Sequence, residues 1–334
     1  MPRSHPIRVG IIGMGQFGRL HAKALGELGG RARLAAVASG SFAEAERVAA
    51  DLGAKAYRDW RAVLAEVDAV CIATPHDLHG EMTLAAIEAG CAVLLEKPMA
   101  PSLAQCDAIL DGLRGRPVPF TVAQPTRFIP AYAEAVARIR SGVIGEPIHV
   151  RAPMIKDFTL KARKDWHLAQ TRGGGMWMTN AVHLVDRLVL AFGRMPMSVS
   201  ASLGTGFHTG LAVDDIGVAL YRFWGGGTGI AEAAGYRVGA PDHWTVIVGT
   251  EGALRCEPGL GLELGRDNAW QTAFAADPAW LAKALAAEWT SFLDHVEGGP
   301  SPVSALEGRN VMAAVIAAEE AAAENAVVRV PLRE

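Results

Sequence analysis

The stretch Gly13-Met14-Gly15-Gln16-Phe17-Gly18 constrains this chain more than any other. It follows a β-branched run, Ile7-Arg8-Val9-Gly10-Ile11-Ile12, and opens a segment that reads as a helix over residues 16–28. Between strand and helix, the first glycine admits a tight turn, the second lets a pyrophosphate approach the backbone, and the third lets helix and strand pack closely. The amides at the helix start then face the phosphates. A glycine-rich turn without a ligand is the plain alternative.

From residue 34 to residue 123 strand and helix alternate. Strands are expected at 34–38, 68–73, 92–95 and 118–123, and helices at 42–52, from about 79 to 89, and at 102–114. That alternation implies a parallel sheet with right-handed crossovers, whose ligands bind at the carboxyl ends of the strands. Thr74, Pro75, His76 and His79 occupy one such end, and Glu96 and Lys97 of Glu96-Lys97-Pro98 occupy another. His76 and His79 read as helix-capping or ribose-contacting groups, because neither acids nor thiols stand near them in sequence to complete a metal site. The second strand ends in Ser39-Gly40-Ser41. No carboxylate there repels a 2′-phosphate and two hydroxyls could donate to one, so NADP is favoured over NAD. Glu44 and Glu46 on the next helix read as solvated.

At 334 residues the chain is long enough for two domains, expected at 1–123 and 124–334. After the linker Gln124-Pro125-Thr126-Arg127-Phe128 and a helix over 130–141 the pattern changes. Strand-like runs at 147–154, 198–203, 216–223, 228–236 and 244–248 arrive with few helices between them, which argues a largely antiparallel sheet. Gly225-Gly226-Gly227 reads as a hairpin turn. Two alanine-rich helices, 279–297 and 304–323, are expected to pack back on the domains. The fold class is therefore α/β, an N-terminal doubly wound domain followed by an α+β domain with a mostly antiparallel open sheet.

A net charge of −3 offers no basic field for nucleic acid or an anionic membrane. Cys71, Cys91, Cys106 and Cys256 have no metal-site or redox spacing and read as reduced core residues of a cytoplasmic protein. The start, Met1 to Pro6, has no signal-peptide pattern, and no run reaches membrane-spanning length.

A second constellation lies at Gly173-Gly174-Gly175-Met176-Trp177-Met178-Thr179-Asn180-Ala181-Val182-His183-Leu184-Val185-Asp186. The glycines permit positive φ and close approach of a ligand. On the helix after them, Thr179 and Asn180 stand four and three residues before His183, so the three share a face. A lone histidine of this kind is commonly a satisfied core residue; here it accompanies a dinucleotide fingerprint and a lysine at a strand end.

Taken in order, these motifs resemble the Gfo/Idh/MocA family, named for glucose-fructose oxidoreductase, inositol dehydrogenase and a rhizopine catabolism protein. The resemblance runs over nearly the whole chain. It is carried by Gly13 to Gly18, Ala73-Thr74-Pro75 with His79, Ala89-Gly90 with Glu96-Lys97-Pro98, and Arg127-Phe128 with Pro130. Ser141-Gly142 with Ile144-Gly145, Gly173 to Asp186, and Gly249-Thr250-Glu251-Gly252 continue it. It implies a Rossmann domain holding NAD or NADP, and a second domain whose open sheet supports a homodimer or homotetramer. It also implies that Lys97 and His183 flank the reacting carbon of a sugar or cyclitol, and that a cis bond precedes Pro98. The family pattern places an aspartate where this chain has Thr179. A neutral hydroxyl cannot hold the imidazole as a charged partner would, so His183 should be less basic than in a typical member.

The reading that results is an NAD(P)-dependent oxidoreductase moving a hydride between nicotinamide and a secondary alcohol or carbonyl of a sugar, cyclitol or related cyclic hydroxy compound. Burial and a cationic nicotinamide lower the pKa of Lys97 towards use as a base, and it is taken as the principal acid/base because Thr179 leaves His183 without the charged partner that the resemblance implies. His183 takes the other polar role, and Arg127, Trp166, His167, Thr179 and Asn180 line the substrate pocket. The cofactor contacts are Gly13, Met14, Gly15, Gln16, Phe17, Gly18, Ser39, Gly40, Ser41, Thr74, Pro75, His76, His79, Glu96 and Lys97. Two other readings use the same scaffold: a non-redox decarboxylase or lyase, and a non-catalytic dinucleotide-binding regulator.

Overall fold

The computed structural model describes residues 5–158, 165–236 and 239–334. The first four residues, part of the signal-peptide reading, lie outside the described residues. The chain forms two compact units, one running to Pro125 and including Ala282–Arg309, the other made of Thr126–Leu281 and Asn310–Glu334.

In the first unit the strands are β1 (Ile7–Ile12), β2 (Ala32–Ala38), β3 (Lys55–Tyr57), β4 (Ala69–Ile72), β5 (Ala92–Glu96) and β6 (Phe120–Ala123). Its helices are α1 (Gln16–Gly26), α2 (Phe42–Leu52), α3 (Trp60–Leu64), α4 (His79–Glu88) and α5 (Leu103–Gly115). The strands form one six-stranded sheet in the order β3-β2-β1-β4-β5-β6, parallel throughout. Ile7, Val9, Ile11 and Ile12 of β1 and all of β4 are buried, as a parallel sheet covered on both faces requires. The strand order reverses between β1 and β4, and at that switch point the carboxyl ends of neighbouring strands open a crevice. β3 and α3 are additions to the expected elements; three and five residues long, they are too short for periodicity to register.

The second unit begins with α6 (Pro130–Arg140), β7 (Pro147–Asp157) and α7 (Gly175–Phe192). It continues through β8 (Ser198–Gly204), β9 (Ile216–Arg222), β10 (Thr228–Tyr236), β11 (Thr245–Gly249), β12 (Ala253–Glu257), β13 (Gly261–Arg266) and β14 (Ala269–Phe274). Helices α8 (Trp280–Val296) and α9 (Ala305–Glu324) and the short β15 (Val328–Arg329) complete the chain. Nine strands make one sheet, β14-β13-β12-β11-β7-β10-β9-β8-β15. Its pairings are antiparallel except for β7 with β10. The hairpin turn between β9 and β10 has Gly225 and Gly226 at positive φ.

α7 packs on β10, β7 and β9. The inward residues of β10 alternate strictly with half-buried ones, so one face of the sheet carries the helix and the other is open. Trp177 of α7 is fully buried and donates its indole N–H to the Val315 carbonyl of α9 at 3.2 Å. A side chain at Gly217 would meet its ring at 2.5 Å. α8 and the first turn of α9 belong to the first unit and the rest of α9 to the second. All four cysteines are free and buried.

Candidate active site

In the first unit each fingerprint glycine has a distinct job. Gly13 sits at φ +100°, and a Cβ there would lie 2.3 Å from the Ala73 carbonyl oxygen; at Gly18 it would lie 1.9 Å from that of Gly13. Beside Gly15 there is open space. Gly15 is the N-cap of α1 and no side chain caps that helix, so its first amides face the space a phosphate group would fill. A dinucleotide pyrophosphate fits this cradle.

At the end of β2, Ser39 is half-buried and Gly40 and Ser41 are exposed. The Ser41 hydroxyl accepts the Glu44 backbone N–H at 3.4 Å and so caps α2. Glu44 is not simply solvated: it pairs with Arg19 at 2.9 Å and with Arg47 at 3.0 Å. Arg19, on α1, also donates to the Met14 carbonyl at 3.3 Å, a cation at the cofactor end of β2 that inspection of the residues directly after β2 could not find.

Several expected cofactor contacts are turned inward. His79 is fully buried, with Nδ1 2.8 Å from the Pro98 carbonyl oxygen and Nε2 3.0 Å from that of Thr74. Burial outweighs both carbonyls and lowers its pKa; the neutral ring has one N–H and so donates to one of the two carbonyls at a time. No part of the ring reaches solvent. The Met14 side chain is likewise in the core, which leaves its backbone as the only part able to meet a ligand. His76 is buried, its ring 5.7 Å from that of His79. The Thr74 hydroxyl lies 3.5 Å from Met82 Sδ, and Pro75 precedes a short helical turn, His76–Leu78.

Glu96 is also buried. It accepts from His21 Nε2 at 2.9 Å and from the Lys97 backbone N–H at 3.1 Å. Burial raises its pKa, but the His21 hydrogen bond and the charges of His21, Lys97 and His79 outweigh that and leave it lowered. Glu96 therefore stands as an anion behind Lys97 instead of in the cofactor crevice. Lys97 itself is half-buried, with Nζ 5.9 Å from the centre of the exposed Phe17 ring, and the Lys97–Pro98 bond is cis; Gln16 beside Phe17 is exposed. A residue that carries no motif in the sequence joins this cluster. Glu288 of α8 is fully buried, and neither carboxylate oxygen has a hydrogen-bond partner of normal geometry among the described residues. Burial first, and then the Glu96 charge, push its carboxyl well above the usual range, with only the Gln124 backbone N–H acting against them.

In the second unit, Gly174 and Gly175 take positive φ at the start of α7 as expected, but protein fills the space beside the three glycines. A Cβ at Gly173 would lie 2.4 Å from the Trp166 carbonyl oxygen, at Gly174 2.6 Å from Met178 Cβ, and at Gly175 2.7 Å from Asp214 Oδ2. Close packing, and not approach of a ligand, is what excludes side chains here. Asp214 caps the helix from outside, its Oδ1 accepting the Trp177 N–H at 2.6 Å and its carbonyl the Met176 N–H at 3.0 Å. Burial pushes its carboxyl up to about 6.

The Thr179 hydroxyl donates to the Gly173 carbonyl at 3.3 Å. His183 is half-buried, with Nδ1 3.5 Å from the Thr126 hydroxyl, a partner supplied by the linker. Asn180 donates to the Met176 carbonyl at 2.7 Å and accepts from Lys156 Nζ at 2.5 Å. Arg127, expected as a substrate ligand, also pairs within the protein: Nε and Nη2 donate to Asp186 Oδ1 at 3.0 and 2.8 Å, and Asp186 is fully buried. The two clamp the linker to α7. Trp166 and His167 stack with ring centres 3.6 Å apart; His167 is half-buried. Among the described residues no group of three or more His, Cys, Asp or Glu side chains could hold a metal ion, and no helix is long and apolar enough to cross a membrane.

The model of an oxidoreductase family with an NAD-binding Rossmann fold matches residues 7–124, and that of the GFO/IDH/MocA C-terminal domain matches residues 132–255. The chain belongs to the Gfo/Idh/MocA family. Among relatives of this family, a scyllo-inositol 2-dehydrogenase (NAD(+)) of Bacillus subtilis is 31% identical over 256 residues, covering 75% of this chain and 73% of its own. A 2,7-anhydro-N-acetylneuraminate hydratase of Mediterraneibacter gnavus is 27% identical over 265 residues, 77% of this chain and 70% of its own. A levoglucosan dehydrogenase solved in complex with NADH superposes with a TM-score of 0.88 over 98% of this chain and 100% of its own, at 24% identity; at that identity the likeness is one of fold.

Proposed function

We propose that this Gfo/Idh/MocA member is an NAD(P)-dependent oxidoreductase moving a hydride between nicotinamide and a secondary alcohol or carbonyl of a sugar, cyclitol or related cyclic hydroxy compound. The observation that carries the reading lies within the first unit. An uncapped α1 start opens behind a bare Gly15, and Lys97 stands half-buried at the end of β5, at the same carboxyl-end edge of the sheet and across the switch point from β1.

A nicotinamide dinucleotide, when bound, supplies the hydride acceptor or donor. Gly13, Gly15 and the first α1 amides hold the pyrophosphate. Lys97 takes the hydroxyl proton as the alcohol is oxidised, or returns it in the reverse direction, and Glu96 behind it favours the ammonium so formed. His183, oriented through Thr126, holds the substrate oxygen. Trp166 and His167 offer a flat stacked surface for a ring.

NADP is accepted at least as well as NAD in this reading, because β2 ends without a carboxylate and Arg19 adds a cation nearby. The open face of the nine-stranded sheet, where Val218 and Trp270 are 42% and 39% exposed, is the surface through which copies of the chain associate. The four buried thiols suit the reducing cytoplasm. The hydratase relative keeps a non-redox reaction in view. Incubation with NAD or NADP and a panel of polyols, sugars and cyclic hydroxy acids tests the reading: reduction of the nicotinamide is expected, whereas loss of substrate without net reduction favours the non-redox reaction.

A further inference from the structure

We propose that Lys156 is a specificity-determining residue and that the substrate carries a carboxylate on its ring, received by the Lys156 ammonium beside Asn180. This rests on the oxidoreductase reading above and narrows its substrate class. β7 presents Val150, Ala152 and Met154 to α7, all buried. The next position on that face is Lys156, half-buried, so an apolar row ends in an ammonium where the strand runs out. Its register partner on β10 is Gly235, which places no side chain beside it.

The surroundings are cationic. Lys156 Nζ donates to Asn180 Oδ1 at 2.5 Å, and Asn180 adjoins Thr179 and lies one turn before His183. Arg187, one helical repeat beyond Asn180, is 4% exposed; it donates to the Pro153 carbonyl at 3.1 Å, and its Nε has no hydrogen-bond partner among the described residues. His243 is held below its ordinary pKa, by burial first and then by the charges of Arg187 and Lys156, with Glu257 and Asp242 opposing. The nearby acids are engaged or turned away: Arg127 neutralises Asp186, Arg151 holds Asp242, and Asp157 comes directly after Lys156 and so points to the other face of the strand. The Thr179 side chain is a neutral hydroxyl that does not repel an anionic substrate, and the neighbouring ammonium attracts one.

The test is calorimetric binding to the protein saturated with NADH, whose reduced nicotinamide cannot take a hydride from an alcohol, using two pairs, glucose with glucuronate and myo-inositol with quinate. The carboxylate of at least one pair is expected to bind at least about tenfold more tightly than its neutral counterpart, the worth of one charge-assisted hydrogen bond. Its advantage should shrink as salt rises from about 0.05 M to about 0.5 M. In Lys156→Met the preference should fall to within about threefold, and Lys156→Arg should keep most of it. Should the methionine variant melt early, Lys156→Gln, which can still hydrogen-bond Asn180, is read in its place. Equal affinities within both pairs, no binding of either carboxylate, or a preference untouched in Lys156→Met would overturn the inference. Binding is read without turnover, so a carboxylate preference with no hydride transfer leaves the inference standing and counts against the proposed reaction.

Discussion

Arg127 Nη2 lies 2.8 Å from Asp186 Oδ1, and the pair joins the linker after β6 to α7 at a point where Asp186 has no exposure to water. Removing one partner strands the other charge. Asp186→Leu is expected to lower stability by about 3–5 kcal/mol, while Arg127→Met with Asp186→Leu should recover much of that loss. Denaturant midpoints of the two single variants and the double variant measure this, and additive losses would show that the pair does not act as a unit.

Lys97→Met should abolish turnover and leave dinucleotide affinity within a few fold, since the pyrophosphate cradle is made by Gly13, Gly15 and α1. A residual rate above about a tenth of wild type at saturating substrate would remove Lys97 from the acid/base role, because general acid–base catalysis contributes about 10²–10⁴-fold.

Cofactor choice should turn on Arg19 and the hydroxyls at the end of β2. NADP(H) is expected to bind at least as tightly as NAD(H), and Arg19→Ala should weaken NADP(H) alone. The Glu44 ion pair competes for that guanidinium, so Glu44→Gln should tighten NADP(H). A fluorescence titration with a tenfold preference for NAD(H) would reverse the expectation.

Thr179→Asp tests the neutral position on α7. The hydroxyl now donates to the Gly173 carbonyl; an ionised carboxylate there faces a carbonyl oxygen, and the expected loss of stability at neutral pH is about 1–3 kcal/mol. If the new charge also reaches the imidazole of His183, its basicity rises and the pH profile of turnover moves to more alkaline values. A normal thermal midpoint with an unchanged profile would place Thr179 outside the site.

Glu288 makes a prediction of definite sign. Its carboxyl is raised far above the ordinary range in the fold, whereas in the unfolded chain it ionises near about pH 4.3. Between those values unfolding releases a proton, so its contribution to stability is full below about pH 4.3 and is lost as pH rises toward the folded value. Glu288→Gln removes this dependence. The difference in thermal midpoint between variant and wild type should therefore move in the variant's favour from pH 5 to pH 8, and a movement the other way would mean that Glu288 is ionised in the fold.

What the sequence makes legible is local. Gly13 to Gly18 can be read because strand, turn and helix lie within twenty residues, and the run at Ile7–Ile12 leaves little choice of partner structure. β12 to β14 escape notice because each is only five or six residues long and β13 carries Gly261 and Gly265, so that pairing with the neighbouring strands is what makes sense of them. Lys97 in the first unit and His183 in the second stand out through their motifs, but the groups around each are distant in the chain. Glu288 of α8 is held protonated by burial and the Glu96 charge, Asp214 caps α7 from the loop before β9, and Lys156 reaches Asn180 from β7. The protein partners of His79 and Arg127 are likewise distant in the chain, the Pro98 carbonyl for one and Asp186 for the other.

The route of the chain has a consequence for how such a protein can be built. The polypeptide leaves the first unit after Pro125, returns for Ala282–Arg309, and departs again. The first unit's core includes Trp289, Phe292 and Leu293 of α8, so a nascent chain that has exposed only the six parallel strands still lacks side chains its interior was shaped to enclose. Until α8 emerges from the ribosome those surfaces face the cell, when chaperones and proteases have their best access. No single break in the backbone frees either unit whole, so a recombination event that moved the dinucleotide-binding half to another gene would have to carry the separate segment Ala282–Arg309 with it.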